Sequence, residues 1–362
     1  MCPNLKSNVC RRITRPNRIF CILPPHILRS IAQNGEPQQR LAALQTLAAD
    51  ITFRALRAEL RLAPPAVTLL VAEGQKQRAL SDTHNTSTLP GDVIRAEGAG
   101  PTGDRAVDEA YDGLGATYDF YWDIFQRNSI DDEGLPLNAT VHYGQKYNNA
   151  FWNGERMVFG DGDGDVFNRF TIALDVIGHE LTHGVTQDEA QLLYFYQSGA
   201  LNESVSDVFG SLVKQRALKQ TADKADWLIG AGLFTAKVKG VALRSMKAPG
   251  TAYDDPVLGK DPQPAHMRDF NYTFDDNGGV HINSGIPNHA FYLVAARLGG
   301  NAWEKAGRIW YETLRDPRLR PNTGFRRFAR LTNANAGRVF GLGSAEHQAV
   351  RDAWSQVGIA IT

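Results

Sequence analysis

The chain is predicted to be of the α+β class, and three features of its 362 residues predict it. Short aromatic and β-branched runs, separated by Gly and Asn turns, fill residues 139–170 and suit strands. Apolar residues at helical spacing return after Phe170 and continue to the C-terminus. Ahead of both lies a basic arm: residues 1–80 carry 12 Lys/Arg against 4 Asp/Glu, whereas the whole chain balances 39 against 39. Hydrophobic residues make up 43%, an ordinary globular share, and at roughly 100–200 residues per domain the length allows two or three cores.

The arm, residues 19–80, is expected to hold one helix. Pro24-Pro25 should begin an extended stretch, because each proline fixes φ and biases its predecessor away from helix. Leu41, Leu44, Leu47, Ile51, Ala55 and Leu60 then recur at helical spacing over 38–60, until Pro64-Pro65 ends the pattern. Residues 82–103, rich in Gly, Pro, Thr and Asp, read as an exposed connector and a domain boundary. Val107, Ala110, Leu114, Tyr118, Tyr121, Trp122 and Phe125 mark a helix over 104–128. Strands follow at 140–143, 150–152 and 157–159. Further helices are expected at 171–185, 201–218, 287–298 and 302–314, with Pro287 in a first turn and Gly299-Gly300 after a last one. The expected division is 1–80, 81–187 and 188–362.

Composition also excludes several functions. The longest apolar runs, such as 290–296, fall short of the roughly 18–20 residues a bilayer span needs, so a soluble chain with no membrane partner is expected. The arm's basic residues are dispersed and form no nucleic-acid motif; they complement a remainder that carries 27 basic and 35 acidic residues. Cys2, Cys10 and Cys21 all precede residue 22, which leaves the body without thiol chemistry. Residues 1–20 contain no apolar core of about 7–15 residues, so no conventional secretion signal is expected. The Asp161-Gly162-Asp163-Gly164-Asp165 stretch starts like an EF-hand loop, but Val166 and Ile172 stand where glycine and glutamate are required, and a tight polar turn is expected instead.

The informative stretch is Asp175-Val176-Ile177-Gly178-His179-Glu180-Leu181-Thr182-His183. On a helix, His179 and His183 project from one face one turn apart, where two neutral imidazoles can bind one zinc ion with Glu180 beside it. A catalytic zinc needs a third protein ligand and one open position. Glu203, on the next helix, can supply that ligand, while Asp207, four residues on, reaches the other ring nitrogen of His179.

Residues 178–186 (GHELTHGVT), 199–207 (GALNESVSD) and 278–285 (GGVHINSG) together resemble the thermolysin family of zinc endopeptidases, and the likeness runs from about residue 89 to the C-terminus. Pro24-Pro25-His26-Ile27-Leu28 is similar to the short propeptide of the protealysin-like branch. The resemblance implies a β-rich N-terminal lobe and a helical C-terminal lobe separated by a cleft, preceded by a propeptide arm. It implies zinc on His179, His183 and Glu203, with Glu180 activating water. His281 and Tyr194 would be donors to the oxyanion, and Asp276 would orient His281; the residues themselves do not choose Tyr194 over Tyr196. Asn149 and Ala150 would hold the substrate backbone, and Arg244 would grip a substrate carbonyl. Leu243 and Val176 would line an apolar pocket for a bulky residue after the scissile bond.

The family's paired calcium site is expected to be missing, since Asp175 and Asp226 match it but Lys214, Leu228 and Ala231 stand where acids belong. Lys214 should neutralise Asp175 or Asp226 instead. The arm suggests a zymogen with the region of Pro24, Pro25 and Leu28 in the cleft, released by cleavage within 79–91. A bolder variant has Cys21 as a fourth zinc ligand, against the favoured reading of an incidental thiol. The expectation is a monomeric, secreted enzyme acting on proteins and peptides, with its own propeptide as partner in cis; a cytoplasmic location is the alternative. Two other readings remain: an inactive metal-binding or adhesive module on the same fold, and a zinc aminopeptidase, although no Gly-x-Met-Glu-Asn stretch is present.

Overall fold

The structure, a computed structural model, describes residues 20–59 and 73–361. Cys2, Cys10, the segment read for a secretion signal up to residue 19, Leu60 and Pro64-Pro65 lie outside the described residues. The arm holds a strand, β1 (Phe20–Cys21), and two helices where one was expected, α1 (Pro25–Asn34) and α2 (Pro37–Glu59). Pro24-Pro25 therefore opens a helix: Pro24 is extended at φ −63°, ψ 137°, and Pro25 takes the first helical position, where a missing N–H costs nothing. The extended residues are those that precede Pro24.

Helix α2 lies where its periodicity placed it but buries another face. Ala42, Ala43, Thr46 and Asp50 are buried, while Leu41, Leu44 and Ile51 are 57%, 54% and 64% exposed. Its target is polar, which explains the reversal. Asn148 N–H donates to Thr46 Oγ1 at 3.1 Å, and Asp50 accepts from Tyr147 Oη at 2.6 Å and Asn149 Nδ2 at 3.0 Å.

A six-stranded sheet forms the first lobe, in the order β1, β5 (Ala150–Trp152), β6 (Arg156–Phe159), β4 (Leu137–Val141), β2 (Arg78–Asp82), β3 (Asp92–Ala96). Strand β4 pairs in parallel with both β2 and β6, and the other pairs are antiparallel. The expected connector and the boundary at 81 are thus overturned, because β2 is an internal strand and β3 its neighbour. Leu80 is the one large aliphatic residue of β2. Its other buried residues are Arg78 and Ser81. Arg78 Nε donates to Glu97 at 2.7 Å, and the Arg78 and Arg95 guanidiniums each lie 3.6 Å from the centre of the Tyr111 ring. A cut within 79–91 would fall in or beside this sheet.

Helix α3 (Arg105–Phe125), capped by Asp104, leads to the three strands read from sequence. The 161–165 segment is a polar turn: Asp163 Oδ1 accepts the N–H groups of Asp165, Val166 and Phe167. The remainder is helical: α4 (Leu174–Glu189), α5 (Tyr196–Ala217), α6 (Asp276–Asn283), α7 (Gly285–Leu298), α8 (Ala306–Leu314), α9 (Phe325–Phe340) and α10 (Ala345–Gln356), with the short pair β7 (Leu228–Ile229) and β8 (Arg244–Ser245). Helix α8 starts four residues later than expected. Among the described residues no helix is long and apolar enough to cross a membrane.

Helices α4 and α5 approach closely because glycines face each other. A Cβ on Gly210 would stand 2.3 Å from the Asp175 carbonyl oxygen, and one on Gly178 would stand 3.1 Å from Gly210 Cα. That approach lets side chains from both helices meet.

Candidate active site

His179, His183 and Glu203 meet at one point, fully buried, with one ligand atom from each within 4.8 Å of the others. It is the one such cluster among the described residues. Hydrogen bonds at the far nitrogens set its chemistry. His179 Nδ1 donates to Asp207 Oδ1 at 2.8 Å, and His183 Nδ1 donates to Asn202 Oδ1 at 2.7 Å. Asn202 Nδ2 donates to the Leu192 carbonyl, which aims its oxygen at His183. Both Nε2 atoms are therefore unprotonated acceptors, yet they lie 3.0 Å apart and about as close to the Glu203 carboxylate, at 3.5 and 3.4 Å. Lone pairs and a carboxylate crowded without a proton between them need a cation, and two imidazoles with one carboxylate suit zinc. Burial, then the neighbouring His179, pushes the His183 pKa well down, which keeps it neutral.

Asp207 anchors more than His179. Its carboxylate also accepts Arg244 Nε and Nη2 at 2.9 and 2.8 Å and Asn288 Nδ2 at 2.8 Å. Burial alone would raise the Asp207 carboxyl, but Arg244 and His179 outweigh it and hold it well below the usual range.

Glu180 is completely buried beside the cluster. Its Oε2 accepts Trp152 N–H at 3.1 Å, while Oε1 has no hydrogen-bond partner among the described residues. Burial first and Glu203 second push its carboxyl well up, the state of a group able to exchange a proton.

A run of left-handed residues, Asp276, Asn277, Gly278 and Gly279, turns the chain so that His281 enters the cleft. A Cβ on Gly278 would meet the Tyr196 backbone at 3.2 Å. His281 Nδ1 donates to Asp276 Oδ1 at 2.7 Å, and its Nε2 faces the Cys21 carbonyl at 3.0 Å. Both partners only accept, so the ring is an imidazolium. Burial works against that charge, but Asp276 and Glu203 carry its pKa to about 9. Tyr194, just before α5, places its hydroxyl 3.1 Å from His281 Nε2 and against Glu203. Tyr196 packs on Phe270 instead, at 5.4 Å between ring centres, so it is the Tyr194 hydroxyl that meets His281.

The arm lies in this site, with Cys21–Leu23, immediately before the expected Pro24, Pro25 and Leu28, making the contacts. Leu23 N–H donates to Asn149 Oδ1 at 3.1 Å, Ile22 N–H to the Ala150 carbonyl at 3.2 Å, and Arg244 Nη1 to the Ile22 carbonyl at 3.1 Å. Pro24, Pro25 and Leu28 are buried. Ile22 is fully buried, within the apolar cluster that contains Val176 and Leu243. Cys21 is not a member of the metal cluster; it packs with Tyr143, Tyr147, Phe151 and Val158, and its carbonyl reaches His281.

Away from the cleft, Lys214 Nζ contacts Asp175 at 2.7 Å, Asp226 at 2.9 Å and the Leu228 carbonyl at 2.7 Å. The sequence reading missed Asn202, Ser206, Asn288 and Asp50. Asn202 and Ser206, the latter 3.0 Å from His183 Nδ1, stand four apart on one face of α5, a spacing that could have found them. No local pattern points to Asn288 or Asp50.

Residues 71–187 match the catalytic domain of the thermolysin metallopeptidases, and residues 190–359 match their α-helical domain. The chain is 57% identical to an extracellular metalloprotease of Pectobacterium carotovorum subsp. carotovorum over 95% of its length and 97% of that protein's. It is 50% identical to Protease PrtS of Photorhabdus sp. (strain Az29) over 94% and 92% of the two chains. The solved precursor of protealysin, a metalloproteinase from Serratia proteamaculans, superposes with a TM-score of 0.87 at 56% identity, covering 94% of this chain and all of that one. With its buried zinc-ligand set and its arm in the cleft, the chain belongs to the thermolysin metallopeptidase family as a zinc endopeptidase precursor.

Proposed function

We propose that in this precursor the stretch from Cys21 to Leu23 stands in the substrate's place, and that each residue around it performs on substrates the task it performs on the arm. Glu180 takes a proton from the attacking water and returns it to the leaving nitrogen. His281, kept cationic by Asp276, and Tyr194 donate to the carbonyl oxygen as it gains charge. Ala150 and Asn149 bind the substrate backbone by adding a strand to β5, and Arg244 holds the next carbonyl. Val176 and Leu243 favour a bulky apolar residue after the scissile bond, the role Ile22 fills in the latent form. Zinc on His179, His183 and Glu203 supplies Lewis acidity that makes water reactive near neutral pH.

The observation that carries this reading is the convergence of both Nε2 lone pairs with Glu203, beside a Glu180 oxygen that has no hydrogen-bond partner among the described residues. With the arm removed, the enzyme should cleave an N-terminally blocked peptide before leucine, lose that activity to a chelator and regain it with zinc. Resistance of the blocked peptide, with cleavage of its free-amine counterpart, would point to an aminopeptidase. No cleavage by zinc-loaded protein would leave a metal-binding module.

Because β2 sits inside the sheet, the releasing cut falls between α2 and Arg78. The extracellular relatives support action outside the cell. The Lys214 ammonium against Asp175 and Asp226 supports a missing paired calcium site, since two carboxylates cannot serve two ions that each want about 6–8 oxygens. Calcium should leave the melting temperature unchanged; a calcium-dependent rise would sink this point.

A further inference from the structure

One peptide bond of the arm is held differently from the rest. Strand β1 runs antiparallel to β5, with Cys21 opposite Phe151. The Cys21 carbonyl points at His281 Nε2, 3.0 Å away. The following nitrogen, Ile22 N, bonds to Ala150 O at 3.2 Å and lies close enough to Glu180 to stabilise its charge. The next carbonyl, of Ile22, is turned to Arg244, and the next N–H, of Leu23, to Asn149. The bond between Cys21 and Ile22 thus has its oxygen on the cationic donor and its nitrogen beside the buried carboxylate. An arm that merely blocked the cleft, or ran in the opposite sense, would have no reason to present one bond in this register.

We propose that Cys21–Ile22 is a self-cleavage site, presented by the latent chain to its own catalytic groups. The proposal rests on the endopeptidase reading above. Water adds to the Cys21 carbonyl carbon and gives a proton to Glu180. The C–N bond then breaks, the Ile22 nitrogen takes that proton from Glu180 and leaves as an amine, and the second proton of the water passes from the new Cys21 carboxyl group to the amine as the carboxyl ionises. Bound geometry of this kind replaces a second-order encounter by a first-order step. The contacts to Ala150, Arg244 and Asn149 hold the Ile22 side and the pairing of β1 with β5 holds the other, so the cut separates residues 1–21 from the rest of the arm and leaves Ile22 and Leu23 docked.

The test starts from full-length chain purified with chelator. Its Cys21 carbonyl, labelled with ¹³C, should resonate downfield in the metal-free protein and lose that shift on His281→Ala, a readout of register that needs no activity. Zinc should then produce a chain that begins at Ile22, seen by mass spectrometry, at a rate constant unchanged on hundredfold dilution. Glu180→Gln should abolish the product. A first cut elsewhere, a rate proportional to concentration, an intact chain, or a carbonyl indifferent to His281 would each overturn the proposal. Ile22→Asp places a carboxylate in a fully buried site and drives the arm out. If that variant cleaves a blocked peptide while the unaltered chain never yields Ile22, the self-cleavage proposal alone fails. If zinc-loaded Ile22→Asp is inert, the endopeptidase reading fails with it.

Discussion

Glu180→Gln should lower kcat on a blocked peptide by about 10²–10⁴-fold, with bound zinc and melting temperature little changed. The amide keeps an oxygen for the Trp152 N–H and fills the same fully buried volume, but it cannot take a proton from water. Metal analysis beside steady-state kinetics checks both halves. A variant that keeps its zinc and its rate would remove Glu180 from the reaction.

The second large effect is expected at Asp207. Asp207→Ala should weaken zinc binding by about 10–100-fold, because His179 loses the acceptor that fixes its ring. It should also destabilise the protein by about 3–5 kcal/mol, since the Arg244 guanidinium, 1% exposed, would be left without its carboxylate. Denaturant titration and competition with a zinc chelator measure the two terms separately. Adding Arg244→Met to Asp207→Ala should return part of the lost stability without returning zinc affinity, because the buried charge disappears but the His179 acceptor does not come back. Equal stability of the single and double variants would contradict this account.

Much of the metal cluster and its surroundings was legible because the signals are local. His179 and His183 stand four apart on one helix, Glu203 and Asp207 four apart on the next, and Gly278-Gly279 stand in the turn before His281. What escaped was decided between distant segments. The internal strand β2 straddles the expected end of the arm and β3 lies within the expected connector, because the burial of this corner comes largely from Arg78 and Arg95 stacked on Tyr111 instead of from apolar alternation. Helix α2 turned Leu41 and Leu44 outward because Thr46 and Asp50 answer polar groups around Tyr147, Asn148 and Asn149, which no periodicity in the helix itself can reveal. The inhibitory segment was sought at Pro24-Pro25, the conspicuous feature, whereas the extended residues before it enter the groove. Tyr194 and Tyr196 are equivalent until the backbone places one hydroxyl on His281.

The two-residue strand at the margin of the sheet has a further meaning for handling the protein. While it is in place, the Ala150 carbonyl on the edge of β5 is covered; once the arm departs, that margin is left bare. The same bareness that admits a substrate invites any other extended chain, including unfolded copies of the enzyme itself. Concentrated stocks should therefore store better as precursor than as processed enzyme, and clumping after processing should be relieved by a short uncleavable peptide that occupies the vacated place.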